Sequence, residues 1–308
     1  MDVLNDILDT LDLKGALYFR TDFCAPWGVT VPELQQAARF HLVVQGNCHV
    51  TFPSGAEIDL GPGDLVLIPK GRSHVLSDKS GAHAPPLETV LERAGFAGQG
   101  VLVWGEGSAH AATQMVCGHL SFRGGADHPL LRALPEYMLA SAATRARTPL
   151  LDEMLRLVAR TVFSGEIGSD AAVTRLSEIV FIELLRAGIA EDPQLGTMLE
   201  ALRDKQIGRA LELIHANPAR PWTVEHLAAE IGMSRSRFAD RFSSLMGVGP
   251  MAYLADWRLQ KALALLDDSR CSVQQVATQT GYQSPAAFTR AFAGKFGLPP
   301  TEYRRALA

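Results

Sequence analysis

Thiols and imidazoles are the side chains in this sequence best suited to metal or redox chemistry. The four cysteines, Cys24, Cys48, Cys117 and Cys271, lie far apart, and none forms a CxxC pair. That spacing suggests neither a disulfide scaffold nor a zinc ribbon. Along QMVCGHLSF (114–122) a period of two places Met115, Cys117 and His119 on one strand face. If that face points inward, Cys117 and His119 approach His41 and His74, and TDFCAPW (21–27) supplies Cys24. Two thiols and two imidazoles suit Zn²⁺ or another divalent metal, at about 2.0–2.3 Å per ligand. The same set suits an oxidant sensor, because imidazolium neighbours lower a thiol pKa and raise its reactivity. The expected metal ligands are therefore His41, His74, Cys24 and Cys117, and the expected redox pair is Cys24 and Cys117. A further reading makes Cys24 an acceptor of alkyl groups. Against these stands core packing, since cysteine is among the most buried residue types. Cys48 and Cys271 are read as structural.

A second constellation is basic. Residues 1–205 carry 17 Lys and Arg against 25 Asp and Glu, whereas residues 206–308 carry 12 against 8. A basic last third on an acidic chain is compatible with a polyanion partner. That third also repeats itself: LAAEIGMSRSRFADRF (227–242) aligns with VATQTGYQSPAAFTRAF (276–292). Gly232 matches Gly281, Phe238 matches Phe288, and Phe242 matches Phe292. The repeats continue as Gly247, Pro250, Tyr253 and as Gly297, Pro300, Tyr303.

The spacing has a mechanical meaning. Val224, Leu227 and Ile231 form one helical face, and Gly232 can take positive φ to end that helix. Ser234 then caps a new helix whose inner face is anchored by Phe238 and Phe242, four residues apart. Its outer face carries Arg235, Ser236, Arg237, Asp240 and Arg241. In the second copy Ser284 is the cap, Pro285 opens the helix, and Gln283, Ala286, Thr289, Arg290 and Lys295 face out. This is helix-turn-helix spacing, and a helix packed by aromatics behind and polar in front suits a major groove. PMAYLADWRLQKALALLDDS (250–269) reads as one helix between the copies, about 25–30 Å long, close to one DNA turn. Trp222 and Trp257 are expected in the core.

The segment GYQSPAAFTRAFAGKFGLPPTEYRR (281–305) closely resembles the signature of AraC-type transcription regulators. The resemblance covers about the last 100 residues and implies two helix-turn-helix units reading double-stranded DNA. It places contacts on Ser234, Arg235, Ser236, Arg237 and Arg241, and on Gln283, Ser284, Pro285, Ala286, Thr289 and Arg290. An activator would also meet RNA polymerase.

Upstream, the texture is β. AARFHLVVQG (37–46) and CHVTF (48–52) flank a Gly-Asn turn that predicts a hairpin. EIDLGPGDLVLIPKGRSH (57–74) predicts strand, turn, apolar strand, turn and strand. DKSGAHAPPLETVLERAGFAG (78–98) reads as loop, and strands resume at 101–104 and 114–122. Short, closely spaced strands predict a sandwich or barrel. Gly63, Pro69, Gly71 and His74 resemble the second cupin motif, and AARFHLVVQG stands where the first would be. The resemblance implies a β-barrel cupin sensor, but of the H-x-H pair only His41 is present, followed by Val43. Cupin-bearing members similar to this chain include redox-responsive regulators with cysteines at places like Cys24 and Cys117.

Past Pro129 the pattern turns helical, at 150–165 and 170–190, with Asp192-Pro193 expected to break the second helix. The stripe Leu176, Ile179, Val180, Glu183 and Leu184 is a candidate homodimer face. The expected plan is α+β in two domains. A cupin-like sensor spans 1–130, a helical linker 131–203, and an all-α reader with two helix-turn-helix units 204–308. No enzyme constellation and no 18-residue apolar run occurs, and the acidic start lacks the form of a secretory signal. A cytoplasmic, non-membrane regulator responding to an unknown effector is expected. The alternative is a metal-dependent cupin enzyme fused to a DNA reader.

Overall fold

The computed structural model describes residues 2–98, 100–107, 112–164, 166–188, 197 and 200–307. The chain forms two compact units. One contains residues 13–122 and 134–192, and the other residues 1–12, 123–133 and 193–308. The boundaries expected at 130 and 203 do not follow this division. Residues 1–12 and 123–133 join the helical unit, and 134–192 join the sheets.

Among the described residues, the first unit holds ten strands in two sheets. They are β1 (Lys14–Cys24), β2 (Gly28–Val31), β3 (Ala37–Gln45), β4 (Cys48–Thr51), β5 (Glu57–Leu60), β6 (Leu65–Ile68), β7 (His74–Ser77), β8 (Val101–Gly105), β9 (Thr113–Ser121) and β10 (Met138–Ala140). The larger sheet runs β10-β6-β3-β9-β1-β8, and the smaller runs β2-β7-β4-β5. The expected barrel is therefore not closed; two open sheets share one core. That core joins Phe23, Val43, Val66 and Met115 of the larger sheet to Val29, Val50, Leu60 and Leu76 of the smaller.

The reason lies at the turns. β3 and β4 flank Gly46-Asn47 as expected but do not pair; β4 pairs with β5 and β7 instead. Gly46 has φ +77°, and a Cβ there would meet Thr113 Cα at 2.9 Å. Only glycine fits this corner, where the chain changes sheets. The Thr113 hydroxyl donates to the Asn47 carbonyl at 2.9 Å and pins the corner from β9.

The loop expected over 78–98 contains a helix, Leu87–Arg93, which buries Val90. Its Leu87, Val90 and Leu91 have the one-face spacing that the flanking Gly and Pro residues hide. The helices expected after Pro129 are Pro149–Val162 and Ser169–Gly188. They cover the back of the larger sheet, with Leu155, Val158, Val180 and Leu184 against Phe40, Leu67 and Leu120. The proposed dimer stripe is split by this packing: Val180 and Leu184 are buried while Ile179 is exposed. The Asp192-Pro193 break lies outside the described residues.

The second unit begins with an N-terminal helix, Val3–Leu11, capped by the Asp2 side chain. Its main body runs from helix Ile207–Ala216 to helix Pro300–Leu307. No helix among the described residues is long and apolar enough to cross a membrane.

Candidate nucleic-acid interface and imidazole–thiol cluster

In the first repeat, Thr223 accepts a hydrogen bond from the His226 amide at 3.1 Å and starts helix Val224–Glu230. Gly232 follows with φ +68°, reversing the chain as its spacing predicts. The Ser234 hydroxyl accepts from the Arg237 amide and starts the first reading helix, Arg235–Met246. Phe238 and Phe242 are fully buried behind it, their ring centroids 5.7 Å apart. Ser234, Arg235, Ser236, Arg237 and Arg241 are exposed in front.

The second repeat copies this construction. Gly281 has φ +81°, the Ser284 hydroxyl accepts from the Ala287 amide, and Pro285 opens the second reading helix, Pro285–Phe296. Phe288 and Phe292 are fully buried with centroids 5.6 Å apart. Gln283, Ser284, Pro285, Ala286 and Arg290 are exposed, and Thr289 is half-buried. Lys295 departs from expectation. Its ammonium turns back to Asp127 at 3.4 Å and to Asp256, leaving its side chain 16% exposed. The two carboxylates outcompete solvent for a cation at that position.

Between the reading helices runs the spacer helix, Pro250–Asp267, about 27 Å long at 1.5 Å per residue. Trp257 and Trp222 are buried, as expected. The Gly-x-x-Pro-x-x-Tyr tails do the same work in both copies. Tyr253 meets Phe242 edge-on at 5.7 Å, and Tyr303 meets Phe292 edge-on at 5.6 Å. Each tyrosine thus ties the element after a reading helix to that helix's inner face.

The arginines of the first reading helix differ in their surroundings. Arg235 Nε lies 2.5 Å from Glu225 Oε1, and both side chains are exposed. Arg241 pairs with Asp204, a residue that local sequence patterns did not single out. No ion pair engages Arg237 among the described residues.

In the first unit, His41 on β3 faces Cys117 on β9 in register. His41 Nδ1 is 3.1 Å from Cys117 Sγ, and His41 Nε2 is 2.8 Å from His74 Nε2. His74 Nδ1 is 2.9 Å from the Arg72 carbonyl oxygen. With both rings neutral, one proton arrangement satisfies every group. The Cys117 thiol donates to His41 Nδ1, His41 Nε2–H donates to His74 Nε2, and His74 Nδ1–H donates to Arg72. Burial supports that state. It depresses His41 far below the ordinary histidine value, helped by His74 and Arg39. It brings His74 down to about 4, and it pushes the Cys117 thiol well up.

This arrangement does not fit a metal ion. Cys117 and His74 engage opposite nitrogens of the His41 ring, so one ion cannot take all three groups. Each imidazole lone pair already accepts a proton. Cys24 ends β1 opposite Gly105, five residues beyond Phe19, the residue that faces Cys117. At about 3.3 Å per residue that is roughly 17 Å. Strand alternation also turns Cys24 to the face opposite Phe23, which lies in the core with Cys117. The four expected ligands are thus not brought together, and the Cys24–Cys117 couple is beyond disulfide reach. His119, opposite Arg39, is half-buried and outside the relay. A cavity of about 20 Å³ adjoins the relay, lined by Phe19, Thr21, Val29, Arg39, His41 and Cys117 among others.

Comparison with known proteins agrees with these two halves. A family model described as Cupin matches residues 2–190, and one described as Helix-turn-helix domain matches residues 227–306. The HTH-type transcriptional regulator AlkR of Acinetobacter baylyi is 33% identical over 312 residues, covering 99% of each chain. An AraC-like transcription regulator of Streptomyces lividans is 29% identical, covering 99% of this chain and 98% of its own. The RCS-specific HTH-type transcriptional activator RclR of Escherichia coli is 28% identical, covering 86% of this chain and 84% of its own. These relatives are named as regulators of transcription, and the metal-dependent enzyme is set aside. The chain belongs to the AraC-type transcription regulators, DNA-binding proteins that join a cupin-like N-terminal half to a C-terminal helix-turn-helix domain.

Proposed function

We propose that the protein lays both reading helices into successive major grooves of one operator, and that a small organic effector in the cupin-like half controls this binding. One observation carries the DNA reading: the polar faces of both repeats are exposed while all four phenylalanine anchors are fully buried. Arg237 leads the base reading, since no carboxylate competes for it. Arg235, Arg241 and Arg290 supply phosphate or base contacts beside it. Ser234 and Ser284 hold the helix starts, and Gln283, Ser236 and Thr289 offer neutral hydrogen bonds. Pro285 and Ala286 make apolar contact, so the second helix discriminates bases less than the first.

The neutral relay supports an organic effector over a metal, because its lone pairs are already engaged. It also favours that effector over an oxidant, because a buried thiol with a raised pKa is a poor nucleophile. The cavity beside Arg39 and His41 offers polar recognition at one edge and apolar walls elsewhere. Its present volume holds roughly one water, so the effector must widen it.

Two measurements test the reading. Arg237→Ala, with an unchanged melting temperature, is expected to weaken binding to a duplex selected by the wild-type protein about 5–150-fold, the value of one bidentate arginine–guanine contact. Wild-type affinity would remove Arg237 from the interface. Val29→Phe, which fills the cavity, is expected to change operator affinity without touching the reading helices. A folded Val29→Phe protein that binds operator like wild type would count against effector control through this cavity.

A further inference from the structure

The Asp204 carboxylate is used twice. Its Oδ1 accepts from the backbone amides of Gln206 at 2.9 Å and Ile207 at 2.8 Å, closing the start of helix Ile207–Ala216. Its Oδ2 holds the guanidinium of Arg241 on the first reading helix. The Asp204 side chain is only 10% exposed, whereas that of Arg241 is 44% exposed. The anchor therefore sits inside the fold, and the guanidinium reaches outward from it. Burial raises the Asp204 pKa, but the Ile207 amide and Arg241 outweigh burial and hold the carboxyl below its ordinary value. The Arg235–Glu225 pair is different, because both partners are solvated and free to part.

We propose that Asp204 is a positioning residue for DNA recognition, pre-setting Arg241 before the duplex arrives. One edge of the planar guanidinium stays on the carboxylate, and the other is presented to a DNA phosphate. Arginine has five donors in a fixed fork, enough for both partners at once. Fixing the side chain in advance removes the ordering cost that a free arginine would meet on binding. This rests on the assignment of Arg235–Met246 as a DNA-facing helix.

The test uses the full chain, a duplex selected by the wild-type protein from a random pool, and fluorescence anisotropy between 50 and 200 mM salt. Asparagine caps a helix as well as aspartate does, so Asp204→Asn keeps the cap and removes only the ionic hold. Asp204→Asn is expected to weaken binding about three- to tenfold, with the salt dependence unchanged because Arg241 keeps its charge. Arg241→Ala is expected to weaken binding and to lower the log–log salt slope by about 0.9. The double variant should bind no more weakly than Arg241→Ala alone. Arg241→Lys, an exposed change that spares the fold, keeps the charge but cannot bridge two partners in a plane. It should match Asp204→Asn.

Wild-type or tighter binding by Asp204→Asn overturns the proposal, as does wild-type binding by Arg241→Lys. So does a loss in Asp204→Asn that adds to that of Arg241→Ala, since such a loss would not act through Arg241. If Arg241→Ala changes neither affinity nor slope, the DNA-facing assignment of Arg241 itself is what fails.

Discussion

The Tyr253 hydroxyl lies 2.7 Å from His215 Nε2, and these two residues form the middle of a hydrogen-bond chain that runs one way. The Leu130 amide donates to His128 Nδ1 at 3.1 Å, so His128 Nε2–H is free to donate to the Tyr253 oxygen at 3.2 Å. Tyr253 then donates to His215 Nε2, and His215 Nδ1–H donates to Asp6 at 2.8 Å. The ammonium of Lys261 closes the chain on the other Asp6 oxygen at 2.8 Å. Only neutral rings satisfy this order. Burial holds both in that state: His128 far below its ordinary value, and His215 below it despite the nearby Asp6.

A pH dependence of stability follows. His41, His74, His128 and His215 all titrate lower in the folded chain than in the unfolded one, whose histidines titrate near 6.5. The unfolded state therefore binds more protons as pH falls, and stability present above pH 6.5 is lost below it. Thermal melts at pH 7.5, 6.5, 5.5 and 4.5 should show a falling midpoint over the last three. A flat profile would mean that these rings are solvated.

Tyr253→Phe keeps the ring contact with Phe242 but strands His215 Nε2 without a donor and His128 Nε2–H without an acceptor. A loss of about 2–6 kcal/mol is expected, about 1–3 for each of the two buried polar groups left unpaired. Urea unfolding with an unchanged slope is the measurement, and a loss below 0.5 kcal/mol would contradict the chain.

Cys117→Ser and Cys117→Ala separate a hydrogen-bonding role from a reactive one. Serine can still donate to His41 Nδ1, whereas alanine leaves that nitrogen unpaired at a cost of about 1–3 kcal/mol. Under native conditions a thiol reagent should label Cys271, which is half-buried, before the buried Cys24, Cys48 and Cys117. Rapid native labelling of Cys117 would revive the oxidant-sensor reading.

Metal content of the purified protein should fall well below one equivalent, and dialysis against a chelator should leave the melting temperature unchanged. Stoichiometric zinc would mean that the imidazoles of His41 and His74 rearrange to hold it.

Lys295→Ala is expected to lower stability rather than alter DNA binding. The change removes one of the two cations that Asp256 and Asp127 share, Arg132 being the other, and a loss of about 0.5–1.5 kcal/mol is expected. The salt slope of operator binding should stay within experimental error of wild type.

The helix-turn-helix half was legible because its signals are local. Ser caps, glycines with positive φ and phenylalanines four apart each act within a few residues, and the duplication reinforced them. The sheets were legible as strands but not as partners. Gly46-Asn47 carries the dipeptide signal of a hairpin, yet Thr113, far along the chain, decides that this is a corner between sheets. Alternation put Cys117 on one face of its strand, and its approach to His41 rested on that face pointing inward. Cys24 was misplaced because alternation along β9 says nothing about position along β1. Asp204 and the His128–Tyr253–His215–Asp6 chain left no local mark, since His215 and Asp6 are 209 residues apart. The N-terminal helix did leave one: Asp2 as cap, followed by Val3, Ile7 and Leu11 on one face.

The helical unit is assembled from three separated stretches of chain. A fragment starting at residue 204, the natural choice for cloning the DNA-binding part, would discard Asp6 and His128. Tyr253 and His215 would then sit at a raw apolar surface with severed polar contacts, next to the helix that spaces the two readers. Dissecting this regulator by truncation would thus injure the half it means to isolate, and inactivating substitutions inside the intact polypeptide are the cleaner instrument.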